Sequence, residues 1–303
     1  MRVLDAAATA RALPWAGLLQ AIEQTLIDAA AGHVQAPERW VLPLAPATAW
    51  FIMPAWLTRA AGDLAAIKLI TYATDNPNQG LPAILGDVLV LRASSGQRLA
   101  LLDGPTVTAR RTAAVTLYAV RHLAPRPTGP LLVIGTGAQA LSHVQAFTEA
   151  LGVDEIWVRG RSEASARSFC QTLHQRGLFA EVAVDLDVAL ARCPLIVSAT
   201  SAQAICLSGQ VLDDAFVAAI GAFSPAMIEL DPELTRDIAV RGQIVLDSAS
   251  ARHEAGDLLA AGLDMAALPT LAEHPPRRDG GPVLFKSCGS ALWDLAAARC
   301  AVG

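Results

Sequence analysis

Apolar residues recur at roughly 3.6-residue spacing over residues 11–31, through Leu18, Leu19, Ile22, Leu26 and Ile27. That spacing predicts one helix, stopped by Gly32. Short apolar runs follow at 40–44, 49–53, 65–71, 83–91 and 98–103, separated by Pro and Gly, and Ser94-Ser95-Gly96 reads as a hairpin turn. This texture predicts a mostly antiparallel sheet. A second helical pattern covers 106–123, with Thr106 or Thr108 as its expected cap, and the Pro-rich stretch 125–130 reads as a linker.

The pattern then changes to alternating strands and helices. Strands are expected at 131–134, 156–158, 180–184, 195–199, 216–220 and 244–246, and helices at 138–151, 163–175 and 187–191. Such alternation predicts a parallel sheet with crossover helices, an α/β class. A strand-like Val283-Leu284-Phe285 and a helix over 291–300 come last.

Composition narrows the picture. The chain has 303 residues, 53% hydrophobic and 17% charged, a length that suggests about two domains. A net charge of −5 without a basic block argues against a nucleic-acid partner. The mean hydropathy of +0.40 raises the membrane question. However, the uncharged stretches 40–58, 127–148 and 193–212 are broken by Pro, Gly or polar residues, so no membrane helix is expected. No secretory leader is read at the N-terminus, and the expected location is the cytoplasm. The 5 cysteines (Cys170, Cys193, Cys206, Cys288 and Cys300) form no C-x-x-C motif and read as buried reduced thiols. No histidine or cysteine spacing suggests a metal site.

The sharpest chemical signal is Gly135-Thr136-Gly137-Ala138-Gln139-Ala140, a G-x-G-x-x-A turn directly after an apolar strand and opening a helix. Gly135 suits the tight turn, Gly137 lets the backbone approach a pyrophosphate, and Ala140 permits close helix–strand packing. The helix N-terminus then offers free N–H groups to phosphate. In NAD-binding units the next strand ends in an acid that binds the ribose hydroxyls. Here Val158-Arg159-Gly160-Arg161-Ser162 has none. Arg161 and Ser162 suit a 2′-phosphate instead, so NADP(H) is expected in preference to NAD(H), which stays possible.

Outside this unit several segments resemble the ornithine cyclodeaminase/mu-crystallin family. They are Lys68-Leu69-Ile70-Thr71, Gly80-Leu81-Pro82, Leu101-Leu102-Asp103-Gly104, the stretch 108–114, Gly221-Ala222, Glu254-Ala255-Gly256-Asp257-Leu258 and Phe285-Lys286-Ser287. Their order and spacing match over nearly the whole chain. The resemblance implies a Rossmann domain (117–280) inserted into a discontinuous α+β substrate-binding and dimerisation domain (1–116 plus 281–303), and a homodimer. It also implies that Arg39, Lys68 and Arg111 hold a substrate carboxylate, that Lys68 is catalytic, and that Arg111 also meets the cofactor. Thr136, Ala138 and Gln139 of the turn, Thr200 and Ser287 are expected cofactor contacts. Thr200 also reads as a helix cap, while Glu254 and Asp257 read as lining the site or bracing its loop.

Two departures separate subgroups. The cyclodeaminases carry an acid after the Gly-Ala of this strand, and here that position is Phe223; their Thr after Gly-Leu-Pro is Ala83. Deamination with ring closure needs repeated proton transfer, whereas reducing a ready-made cyclic imine needs one hydride and one proton. The Gly-Ala-Phe-Ser-Pro segment resembles the ketimine-reductase branch, which implies reduction of Δ1-pyrroline-2-carboxylate or Δ1-piperideine-2-carboxylate, with Phe223 as an apolar wall against the substrate. Ornithine cyclodeaminase, an alanine dehydrogenase-like oxidoreductase and a non-enzymatic small-molecule and NADPH binder remain alternatives.

Overall fold

In the computed structural model, which describes every residue except Arg59, Ala202, Gln203 and Asp279, the chain divides into two units. One combines Met1–Val115 with Ser290–Gly303, and the other is Thr116–Gly289.

The first unit begins with strand β1 (Arg2–Leu4) and helices α1 (Ala6–Ala12) and α2 (Trp15–Ala30). The single helix expected over 11–31 is therefore two. Pro14 takes an extended conformation before Trp15; a proline ring has no N–H to continue a helix and clashes with the preceding turn. Strands β2 (Val34–Gln35), β3 (Trp40–Ala45), β4 (Thr48–Leu57), β5 (Ala65–Ala73), β6 (Ile84–Leu91) and β7 (Arg98–Asp103) follow. With β1 they make a seven-stranded sheet in the order β1-β7-β6-β5-β4-β2, with β3 also paired to β4. Only the β1–β7 pairing is parallel among the described residues. The turn at Ser94–Gly96 joins β6 to β7, closed by the Arg92 N–H donating to the Gln97 carbonyl at 2.9 Å.

Helix α3 (Gly104–Leu123) then starts earlier than expected. Its cap is neither Thr106 nor Thr108. Asp103 accepts from the Thr106 N–H at 2.9 Å and from the Thr106 hydroxyl at 2.6 Å, because the residue just outside the helix is the one whose oxygen can reach back to the orphan amides. The boundary between the units falls inside α3.

The second unit alternates β8 (Leu131–Ile134), α4 (Ala138–Leu151), β9 (Ile156–Arg159), α5 (Glu163–His174), β10 (Ala180–Val182), α6 (Leu186–Arg192), β11 (Leu195–Ser198) and β12 (Phe216–Ala219). It continues with α7 (Pro232–Arg241), β13 (Gln243–Leu246), α8 (Ala251–Glu254), α9 (Gly256–Ala260) and β14 (Val283–Lys286). Its sheet runs β10-β9-β8-β11-β12-β14-β13 and is parallel at every described pairing. The order turns back between β8 and β11, the switch point of a doubly wound dinucleotide fold. Strand β14 corrects the expected boundary at 280/281. Its Leu284 pairs with Val217 on one side and Ile244 on the other, so residues 281–289 belong to the parallel sheet, not to the first unit.

The last helix, α10 (Ala291–Val302), returns to the first unit. It is buried almost all round and packs on β4, β5, β6 and α2. The sheet turns Met53, Ala55, Ala66, Ile70 and Val88 inward. In the second unit Leu132, Ile196, Val217, Leu246 and Leu284, one from each of five strands, share one apolar core. All five cysteines are free, but Cys206 and Cys300 are half-buried where burial was expected. No helix among the described residues is long and apolar enough to cross a membrane.

Candidate active site

Strand alternation aims Lys68 into the first unit. On β5 the inward series is Ala66, Lys68 and Ile70, and Lys68 pairs with Met53 on β4 and Val88 on β6, both also inward. Its ammonium is buried with 1% exposure, and an unpaired charge there would be prohibitive. The partner comes from α10. Asp294 Oδ1 accepts from Lys68 Nζ at 3.1 Å and Oδ2 lies at 3.0 Å.

Asp294 also faces Arg111 on α3, whose Nε is 3.2 Å from Oδ1 in an ion-pair contact that is not aligned as a hydrogen bond. Arg111 Nη1 is buried without a hydrogen-bond partner among the described residues. Its neighbour Arg110 is spent on structure, donating to the Leu13 carbonyl at 2.9 Å and stacking over Trp15. Arg39, just before β3, lies over the Phe51 ring at 5.7 Å. Burial lowers the Lys68 pKa from 10.5 to about 8, and Arg111 and Arg39 push the same way while Asp294 opposes them. The structure thus brings Arg39, Lys68 and Arg111 together. Two of these cations are buried around one carboxylate, which leaves an excess of positive charge that a small anion would neutralise.

Asp294 was not singled out from the sequence. The signal was available: one acid inside Ala-Leu-Trp-Asp-Leu-Ala-Ala-Ala, a helix too apolar to have a wet face, must have a buried cation opposite.

In the second unit the residues after β8 fit a dinucleotide. Gly135 has φ +119°, and a Cβ there would sit 2.4 Å from the Ala199 carbonyl oxygen, so only glycine lets the turn pack on the end of β11. A Cβ on Gly137 would meet nothing within 4 Å. Gly137 heads α4 with no side-chain cap, whereas Ser162, Asp185 and Asp231 cap α5, α6 and α7. An α-helix N-terminus without a side-chain cap is the kind of end that suits an anion such as phosphate.

The other expected contacts fall as follows. Thr136 lies between the two glycines and Gln139 in the first turn of α4. Thr200 heads no helix; it follows β11 and its hydroxyl donates to Glu229 at 3.2 Å. Arg161 and Ser162 follow β9 and are exposed; Arg161 makes no hydrogen bond or ion pair among the described residues. Ser162 caps α5 by accepting from the Ser165 N–H at 3.2 Å. Ser287 is buried after β14 and its hydroxyl donates to Asp247 at 2.7 Å. Phe223 follows β12, half-buried against the core of its unit. Asp257 braces a loop rather than lining a site: its Oδ1 accepts the Glu229 N–H at 2.6 Å and the Leu230 N–H at 3.0 Å.

Comparison with known proteins covers the chain from end to end. The model of the ornithine cyclodeaminase/mu-crystallin family matches residues 2–302. A Δ1-pyrroline-2-carboxylate reductase of Burkholderia multivorans is 38% identical over 302 residues, covering 99% of this chain and 94% of that protein. A Δ1-pyrroline-2-carboxylate/Δ1-piperideine-2-carboxylate reductase of Azospirillum brasilense is 38% identical over 301 residues, covering 99% and 94%. Among solved structures, the Thermococcus litoralis Δ1-pyrroline-2-carboxylate reductase in complex with NADH and L-proline superposes with a TM-score of 0.90 at 23% identity, over 100% of this chain and 96% of that one. That likeness is one of fold.

Proposed function

The chain belongs to the ornithine cyclodeaminase/mu-crystallin family, and from that premise we propose that it reduces a cyclic ketimine carboxylate with a reduced nicotinamide dinucleotide. The substrates are Δ1-pyrroline-2-carboxylate, Δ1-piperideine-2-carboxylate or both, and the products L-proline and L-pipecolate. Reductases of these imines are its relatives at 38% identity over nearly its whole length. The observation that carries the reading is the buried pair Lys68 and Arg111 sharing the single carboxylate of Asp294, with Arg111 Nη1 left without a hydrogen-bond partner among the described residues.

The residues divide the work. Arg111 and Arg39 hold the substrate carboxylate, Arg as a planar fork that matches it. Lys68 hydrogen-bonds only Asp294 among the described residues, so its ammonium keeps protons for the ring nitrogen. The bound dinucleotide supplies the hydride that the C=N carbon takes up. Gly135, Thr136, Gly137, Ala138 and Gln139 hold its pyrophosphate, with Thr200 and Ser287 as further contacts. Arg161 and Ser162 favour NADP(H) over NAD(H), because an unpaired guanidinium stands where an NAD site carries an acid. Phe223 offers the substrate an apolar wall. It also argues against the cyclodeaminase reaction, since a phenyl ring cannot exchange the protons that loss of ammonia requires.

The working form is a homodimer. The outward face of the first sheet carries Trp50, Trp56, Leu69 and Leu85, and the edge strand β3 exposes Trp40 and Leu42. A face of that size on a sheet with an open edge calls for a cover, and a second copy supplies both apolar surface and strand. We place the protein in the cytoplasm, where reduced dinucleotide is available and free thiols persist.

The decisive experiment follows absorbance of the reduced dinucleotide with five- and six-membered imines side by side, and ammonia release from L-ornithine in parallel. Oxidation of the dinucleotide with an imine supports the reading. Ammonia from ornithine, or dinucleotide binding without turnover of either imine, overturns it.

A further inference from the structure

The second unit buries a charged cluster that the reaction above does not use. Glu229, Asp257 and Lys286 have no solvent exposure. Lys286 Nζ donates to Asp257 Oδ2 at 2.6 Å and lies 3.7 Å from Glu229 Oε1. Because Asp257 Oδ1 takes the backbone N–H of Glu229 at 2.6 Å, the three residues close a ring.

The Glu229 carboxylate itself gathers four donors from two adjacent strand ends. Oε1 accepts the N–H of Gly221 at 2.7 Å and of Ala222 at 3.2 Å, both just past β12. Oε2 accepts the hydroxyl of Ser198 at 2.7 Å, at the end of β11, and that of Thr200 at 3.2 Å. We propose that Glu229 is a positioning residue for the dinucleotide: its carboxylate ties the end of β11 to the end of β12 and fixes the wall on which the Gly135 turn packs. This rests on the reading of that turn as the dinucleotide site.

The strand ends leave no slack. A Cβ on Gly221 would lie 1.9 Å from the Thr200 carbonyl oxygen and 2.5 Å from Glu229 Oε2. On the other side, a Cβ on Gly135 would lie 2.4 Å from the Ala199 carbonyl oxygen. The carboxylate thus joins the β11 and β12 ends, and the 134–135 end of β8 packs on the β11 end at Ala199. These ends form the sheet edge at which doubly wound folds take their ligands. Thr200, an expected cofactor contact, spends its hydroxyl proton on this carboxylate.

The chemistry of the donors requires an ionised acid. Four N–H and O–H donors fill both oxygens of a carboxylate, while an amide offers one acceptor oxygen and brings donors of its own. Burial pushes the Glu229 carboxyl above its usual range and Lys286 pulls it back. Burial likewise works against the Lys286 charge, yet Glu229 and Asp257 hold its pKa above the ordinary lysine value. Three buried charges are a costly route to stability, which an apolar filling supplies as well. An apolar filling cannot collect donors from two strands, so positioning is what the cluster adds.

The test compares E229Q and S198A with the wild-type protein. Dinucleotide Kd is read by fluorescence titration without substrate, alongside Tm and the steady-state KM and kcat. E229Q raises Kd and KM for the dinucleotide at least about tenfold, and S198A raises them about threefold, while kcat at saturating dinucleotide changes less. If both variants keep wild-type Kd and KM and lose only Tm, Glu229 is structural and the proposal is overturned. Should E229Q fail to fold, S198A decides by the same criterion. A wild-type protein that binds no dinucleotide overturns the functional reading itself, and this proposal with it.

Discussion

Asp294 takes a hydrogen bond from Lys68 at 3.1 Å, although the two are 226 positions apart in the chain. The contact joins the last helix to the middle of the first sheet, and under the proposed function it ties the C-terminal segment to the substrate site. It also sets the charge of the site. Lys68, Arg111 and Asp294 together carry one excess positive charge, which matches a single carboxylate.

Activity should follow the Lys68 ammonium. With its pKa lowered from 10.5 to about 8 by burial, kcat/KM for imine reduction stays level up to about pH 8 and then falls, approaching tenfold per unit. Stability moves the other way. Between about pH 8 and 10.5 the unfolded chain binds the proton that folded Lys68 has lost, so this group's contribution to stability rises with pH. In D294N the limb moves to lower pH, because the carboxylate that raises the Lys68 pKa is gone. A wild-type pH–rate profile flat through pH 9.5 would remove Lys68 from the proton transfer.

Substitutions in the cluster should separate charge balance from chemistry. Asp294→Ala leaves two buried cations unpaired and costs about 3–5 kcal/mol of stability, read by denaturant unfolding. Lys68→Ala and Arg111→Ala each leave one cation on Asp294, so the protein stays folded, while kcat/KM for the imine falls at least about 100-fold. Near-normal turnover in both would sink the assignment.

The elements that hold these groups were unevenly legible. The switch from period-2 runs to alternating strands and helices located the parallel sheet, and the glycine spacing located the tight turn between β8 and α4, because both follow from local backbone demands. What depends on tertiary pairing did not show. Asp294 and Glu229 matter through partners far along the chain, and β14 reads as an isolated apolar run until Val217 and Ile244 flank it. Helix α7 has only a start signal in the sequence: Asp231 caps it through the Glu233 N–H at 2.7 Å and Pro232 occupies its first turn. Its polar outer face diluted the apolar periodicity.

Arg161 is where the proposed preference for NADP(H) is tested. The guanidinium is exposed and without a partner among the described residues, so removing it disturbs nothing else. Arg161→Ala should weaken NADPH binding by roughly 10–100-fold, the loss of one charge-assisted contact, and leave NADH binding unchanged. Equal effects on both dinucleotides would show that the side chain does not meet a 2′-phosphate.

Leu69 tests the assembly without touching the site, because strand alternation places it on the face opposite its neighbour Lys68. It is 43% exposed and pairs with Ile52 and Asp87 across the outward side of the sheet. An acid at this position adds a second negative charge beside Asp87 in a face that a partner would have to desolvate, which an apolar interface does not tolerate. The inward face, with Met53, Ile70 and Val88 against α10, is unchanged, so the subunit should still fold. Leu69→Asp is therefore expected to convert a dimer to a monomer in sedimentation equilibrium with little change in Tm of the isolated subunit. If the variant sediments as the wild type does, the outer sheet face is not where two copies meet, and the exposed Trp50 and Trp56 need another explanation.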